Sequence, residues 1–135
     1  MPLRSTTSPS IMEYRNRPET VVQRQLDAYN ARDLDAWIAT YAPDAKQYLF
    51  PGTLLAEGVE QIRARSVARF QEPNLHAALL KRTVIGDIVI DHERVTRTFS
   101  EGTGTLEMMA TYRVVSGAIA EASFVFGPPV LDTTL

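Results

Sequence analysis

The sequence predicts an α+β fold in which a curved, mostly antiparallel sheet forms a cone around three N-terminal helices. Three observations predict it. Between residues 18 and 70, apolar side chains recur at helical spacing, interrupted by short extended stretches. From Leu75 onward the period becomes strand-like and the composition turns to Val, Ile, Leu and Thr. The links in that second half are of hairpin length, which makes neighbouring strands antiparallel.

Taken in order, residues 1–17 read as an irregular arm, and Met12 is an alternative start to Met1. Pro18 suits the first position of a helix, where its missing N–H costs nothing. Val22, Gln25, Leu26 and Tyr29 then form one face of that helix. Asn30-Ala31-Arg32-Asp33 is a corner, with Asp33 as N-cap of a second helix carrying Leu34, Trp37, Ile38 and Tyr41. Pro43 stops this helix near Ala42. Lys46–Phe50 alternates as a strand, Pro51-Gly52 breaks it, and Thr53–Glu57 is a short second strand. The third helix runs from Val59 to Phe70, with Val59, Ile62, Ser66, Val67 and Phe70 as its stripe.

Four long strands follow. Residues 77–90 form the first, with Gly86-Asp87 as a bulge or bend. Asp91-His92-Glu93 reads as a tight connection, and residues 94–100 as the next strand. Residues 105–115 and 118–126 are the last two, closed by Gly127-Pro128-Pro129. This gives one domain over residues 18–127, preceded by the arm and followed by a tail over 128–135.

The 135 residues are 44% hydrophobic and 22% charged, enough for a sizeable core in one domain. There is no cysteine, which removes thiol catalysis, Cys-based zinc sites and disulfides together. A formal net charge of −2 gives no reason to expect nucleic acid or an anionic membrane as partner. No apolar run approaches the roughly 20 residues of a membrane span, and residues 1–10 lack the apolar core of a secretory signal. A cytoplasmic location is the expectation.

The element order, together with VVQRQLDAYNARDLDAWIATYAPDA near the start and GAIAEASFVFG near the end, resembles the nuclear transport factor 2-like superfamily. The similarity is to its SnoaL-like and ketosteroid isomerase-like branches, and it spans residues 18–127. It implies a cystatin-like cone with an internal pocket, a homodimer through the outer sheet face, and chemistry without a cofactor or metal. Fold alone does not fix the reaction. Ketosteroid isomerase works with an Asp base and an oxyanion hole of a Tyr and a protonated Asp. The matching positions here are Leu49 or Phe50 for the base, Gln25 for the Tyr and Ala110 for the protonated Asp. All three lack the required group, so 3-oxo-steroid isomerisation by that route is not expected. The Arg-x-Asp pair of limonene epoxide hydrolases is absent too, since Phe99 stands two residues after Arg97. Polyketide cyclases use an acid in the cavity, which no motif places here.

The resemblance and the strand alternation together nominate Gln25, Phe50, Arg65, Ser66, Arg69, Arg97, Met108, Phe124 and Phe126 as ligand-binding residues, with Ala110 beside them. Without a recognisable cavity carboxylate, proton transfer falls to His76, Tyr48 or Tyr112. His92 reads as an exposed turn residue, and two separated histidines make no metal motif. Arg97 shares a strand face with Val95 and Phe99. It either lines the cavity, with Glu107 or an anionic ligand as partner, or forms an outer cross-strand pair with Glu107. The expected function is that of a SnoaL-like isomerase, cyclase, dehydratase or hydrolase acting on a small, partly apolar molecule. The alternative is a non-catalytic dimeric ligand-binding or interaction module.

Overall fold

A computed structural model describes residues 10–132. The expected α+β cone is present. Three helices, α1 (Ile11–Asn16), α2 (Pro18–Asn30) and α3 (Leu34–Ile38), precede strands β1 (Tyr41–Leu49) and β2 (Thr53–Glu57). Helix α4 (Val59–Ser66) and a 3-10 turn (Arg69–Gln71) follow. They lead to β3 (His76–Ile85), β4 (Ile88–Phe99), β5 (Gly102–Val115), β6 (Ala118–Phe126) and a two-residue β7 (Val130–Leu131). The sheet order is β2-β1-β6-β5-β4-β3, with β7 continuing beside β5. Among the described strands, only β1 and β6 pair in parallel.

The helix layer follows from local chemistry. Pro18 begins α2, which buries Val21, Val22, Gln25, Leu26 and Ala28 on one face. Asp33 caps α3 by accepting a 3.0 Å hydrogen bond from the Ala36 N–H. Asn30 ties the end of α2 to the sheet: its amide donates to the Ala77 carbonyl at 2.9 Å and accepts from the Ala77 N–H at 2.8 Å. Trp37 packs edge-on to Tyr41 with centroids 5.0 Å apart, and against Phe70 at 5.1 Å. Val21, Val22, Ile62, Val89, Tyr112, Ile119 and Phe124 complete this core.

Several sequence expectations need correction. Helix α1 lies inside the stretch expected as an irregular arm, capped where Ser10 Oγ accepts from the Glu13 N–H. Residues 1–9 of that arm and 133–135 of the tail lie outside the described residues. The described part of the tail pairs as β7, and Gly104 permits this, since a Cβ there would sit 2.5 Å from the Val130 carbonyl oxygen. Helix α3 ends at Ile38, and Pro43 lies within β1. Between the pairs Tyr41–Ile119 and Lys46–Glu121, β1 advances five residues while β6 advances two. A proline is tolerated in that irregular stretch because no ladder bond is asked of its nitrogen. Helix α4 ends at Ser66, and Val67 is exposed instead of buried in the stripe.

The largest correction concerns β3 and β4. Gly86-Asp87 is a two-residue hairpin turn between Ile85 and Ile88, with Gly86 at φ +58°. Asp91-His92-Glu93 is therefore the middle of β4, not a connection. In that register Arg82 stands directly opposite Asp91. Its guanidinium binds both carboxylate oxygens, Nε to Oδ1 at 2.7 Å and Nη2 to Oδ2 at 2.8 Å. The third arm, Nη1, donates to Gln23 Oε1 of α2 at 2.8 Å, so one side chain pins the helix to the sheet.

Asp91 is fully buried, so Arg82→Met should lower stability in urea denaturation by about 3 kcal/mol, because it leaves that carboxylate without its partner. The double variant Arg82→Met/Asp91→Leu should recover most of the loss.

Candidate functional site

Strand alternation builds the floor and walls of a single cavity. The inner face of β4 carries Val89, Asp91, Glu93, Val95, Arg97 and Phe99. That of β5 carries Leu106, Met108, Ala110 and Tyr112, and that of β6 carries Ala122, Phe124 and Phe126. Across them, α2 presents Gln25, Leu26 and Tyr29, and α3 presents Trp37. The start and middle of β1 add Tyr41 and Gln47, and α4 with its 3-10 extension adds Arg65, Ser66, Arg69 and Phe70. The cavity encloses about 330 Å³, the size of a small organic ligand site.

Glu93 is the acid that no motif placed. It is 2% exposed and lines the cavity. Burial pushes its carboxyl up from the ordinary 4.5 to about 7, the neighbouring Asp91 adds to that rise, and Arg82 opposes it. A carboxyl balanced between its two forms near neutrality can both take and return a proton. Tyr29 is raised to about 12, chiefly by burial. Burial also raises Tyr41 and Tyr112. The buried phenols thus stay protonated near neutrality and wall the cavity.

Four buried side-chain atoms make no hydrogen bond within the described residues: Gln25 Oε1, Trp37 Nε1, Glu93 Oε2 and Arg97 Nε. All four belong to residues lining this cavity. Two accept and two donate, so the cavity offers both kinds of partner to a polar ligand. A directed chain runs along one wall, with Arg65 Nη1 donating to Gln47 Oε1 at 3.2 Å and Gln47 Nε2 donating to Tyr41 OH at 3.3 Å.

The residues nominated from the sequence divide clearly. Gln25, Arg65, Ser66, Arg69, Arg97, Met108, Tyr112, Phe124 and Phe126 come together around the cavity. Ala110 is buried on the same face of β5. His76, Tyr48 and Phe50 do not come to it. His76 is exposed at the start of β3. Alternation along β1 places Gln47 in the cavity and Tyr48 on the outer side, beside Arg113 and Glu121. Phe50 lies just past the end of β1 and is 63% exposed. Arg97 faces inward, whereas Glu107 faces outward and meets His92, with Nε2 2.6 Å from Oε1. Neither expected Arg97–Glu107 pairing therefore forms. His92 lies in a strand instead of a turn.

Sequence reasoning missed Glu93, Tyr29, Trp37, Tyr41, Gln47 and Phe70. The signal for Glu93 was present: Val89, Asp91, Glu93, Val95, Arg97 and Phe99 alternate without a break. Among the described residues, no three His, Asp or Glu side chains converge on a point that could hold a metal ion. No helix among them is long and apolar enough to cross a membrane.

The sequence model of the SnoaL-like domain matches residues 22–122. No curated protein matches the sequence. Among solved structures, the chain is similar to an uncharacterised cystatin-fold protein from Novosphingobium aromaticivorans. The TM-score is 0.74 at 25% identity, covering 82% of this chain and 97% of that one. It is similar to a candidate polyketide cyclase from Sinorhizobium meliloti, with a TM-score of 0.64 at 28% identity, over 78% and 93% of the two chains. A candidate SnoaL-like polyketide cyclase from Jannaschia shares the fold, with a TM-score of 0.71 at 22% identity over 89% and 90%.

Because the folded protein holds the Glu93 proton more tightly than the unfolded chain does, the stability this group contributes is fully present below about pH 4.5. It is lost as pH rises toward about 7. Urea denaturation of Glu93→Gln should therefore show a flatter stability profile across that window. At about pH 8 the variant should exceed the parent by on the order of 3 kcal/mol.

Proposed function

The chain belongs to the SnoaL-like domain family, and from that premise we propose that it is an enzyme moving protons on a small carbonyl compound, with Glu93 as its base and acid. The family is of small-molecule cyclase and isomerase type. The observation that carries the reading is the position of Glu93, a buried carboxyl in the cavity whose affinity for a proton is matched to neutral pH.

In this reading the ionised Glu93 takes a proton from the carbon beside a substrate carbonyl. The electron pair of that C–H bond moves into the enolate, and the carbonyl oxygen gains negative charge. Trp37 Nε1–H, a donor without a protein partner among the described residues, lines the same cavity and can meet that oxygen. The protonated Glu93 then has two outcomes open to it. It returns the proton to a different carbon, which is an isomerisation. Alternatively the enolate carbon attacks a second carbonyl of the same molecule, a C–C bond forms, and Glu93 protonates the new alkoxide, which is a cyclisation. Both outcomes are balanced, and neither requires oxidation or reduction. Tyr29, Phe70, Tyr112, Phe124 and Phe126 supply flat apolar walls for an aromatic or polyene-like body, and they exclude water from the reacting carbon.

The experiment is deuterium exchange in D2O across a panel of small enolisable aryl ketones, followed by proton NMR. Wild-type protein should accelerate loss of the signal from the carbon beside the carbonyl for the ketones that bind. Glu93→Gln should cut the rate by about 100-fold or more while still binding them. Binding without exchange in the wild type would return the chain to the reading of a ligand-binding module.

A further inference from the structure

Three guanidinium groups, those of Arg65, Arg69 and Arg97, line one cavity, where the only carboxylate among the described residues is that of Glu93. Their partners are unequal. Arg69 has a carboxylate, with Nη1 2.6 Å from Glu72 Oε2. Glu72 is also occupied elsewhere, accepting from the Thr98 N–H at 2.8 Å. Among the described residues, Arg65 has only the neutral amide oxygen of Gln47. Arg97 has two ring faces, Phe99 at 5.4 Å and Phe126 at 5.6 Å, and its buried Nε has no acceptor among the described residues. Burial lowers the pKa of both Arg65 and Arg97. Arg69 lowers both further, and Arg65 adds to the effect on Arg97, so the three charges share one local field.

Position adds to charge. Arg65 is exposed and Arg69 and Arg97 are half-buried, while Glu93 is closed off from solvent. The guanidinium groups therefore stand toward the opening and the carboxyl at the base. Crowding like charges in a partly desolvated site costs free energy unless an anion meets them. The surrounding walls are aromatic and aliphatic, so the anion that fits is one end of an organic molecule.

We propose that the substrate of this cavity is an organic acid: its carboxylate is held at the opening by Arg65 and Arg97, and its apolar body points toward Glu93. This names the substrate class for the reading above and rests on it for the chemistry, but the anion site stands on its own geometry. A planar carboxylate matches the guanidinium fork and can satisfy the free Arg97 Nε. Arg69, tied to Glu72, adds field without needing to touch the ligand.

Trp37 is the only tryptophan and it lines the cavity, so its fluorescence reports occupancy. The test titrates the whole protein with phenylbutyrate and, separately, with its neutral amide, phenylbutyramide. The acid should bind at least about tenfold more tightly than the amide at low salt. That preference should shrink as ionic strength rises from about 0.05 M to about 0.5 M. Arg97→Gln and Arg65→Gln should each erode the preference while leaving amide binding in place. Arg65 is on the exposed side of α4, so its variant keeps the test available should Arg97→Gln fold poorly. Equal binding of acid and amide would overturn the proposal, as would a preference that survives both substitutions. The absence of saturable phenylbutyrate binding up to about 10 mM would overturn it as well. Glu93→Gln should keep the preference. A preference for the acid without proton exchange on any ketone would leave the anion site standing and remove the catalytic reading, and exchange without the preference would do the reverse.

Discussion

One guanidinium lies beside two buried carboxylates and binds only one of them. Arg82 sits across the ladder from Asp91, engages both of its oxygens, and spends its remaining arm on Gln23 of the helix above. The geometry leaves nothing for Glu93, two residues further along the same face of β4. Much of the rest depends on this division. The pair fixes α2 over the sheet, which puts Gln25 and Tyr29 into the cavity roof. It places a negative charge beside Glu93, and that charge adds to the effect of burial in making Glu93 hold its proton. A structural ion pair thus strengthens its neighbour's hold on a proton, and the cost of burying an unpaired acid is concentrated at Glu93.

The same logic accounts for the lost groups of the ketosteroid isomerase pattern. Gln25 and Ala110 occupy the inner surface where a Tyr and an Asp are needed, and Phe50 lies outside the cavity altogether. The cavity still holds an acid, Glu93 on β4 opposite Met108, and among the described residues its unpartnered donors are Trp37 and Arg97. An acid at the base and guanidinium groups at the opening give the cavity a direction, which a purely apolar pocket lacks.

Much of this was legible in the sequence because it depends on local periodicity. The capped corner at Asp33 and the start of α2 at Pro18 follow from spacing alone, and the inward set of β5 and β6 from alternation together with the family resemblance. What was not legible depended on pairing partners. Asp91-His92-Glu93 looks like a turn because three polar residues in a row interrupt an apolar run, and only the hairpin at Gly86-Asp87 shows that they continue a strand. Pro43 looks like a helix stop with a turn after it, yet the parallel neighbour β6 accommodates it within β1. Gln47 and Tyr48 take opposite faces by alternation, and the residues themselves do not say which of the two is the inner one. Taking the wrong face as the inner one put Tyr48 in place of Gln47, and the misplaced turn hid Glu93.

The central claim is that Glu93 is a cavity acid poised near neutrality. A carbon-13 NMR titration of the Glu93 carboxyl in the intact protein, assigned by comparison with Glu93→Gln, tests it most directly. The account predicts a midpoint of about 7, well above the ordinary 4.5. It also predicts a fall in that midpoint for Asp91→Asn, where the neighbouring charge is removed and Arg82 is released. A midpoint at the ordinary carboxyl value in the wild type would contradict it.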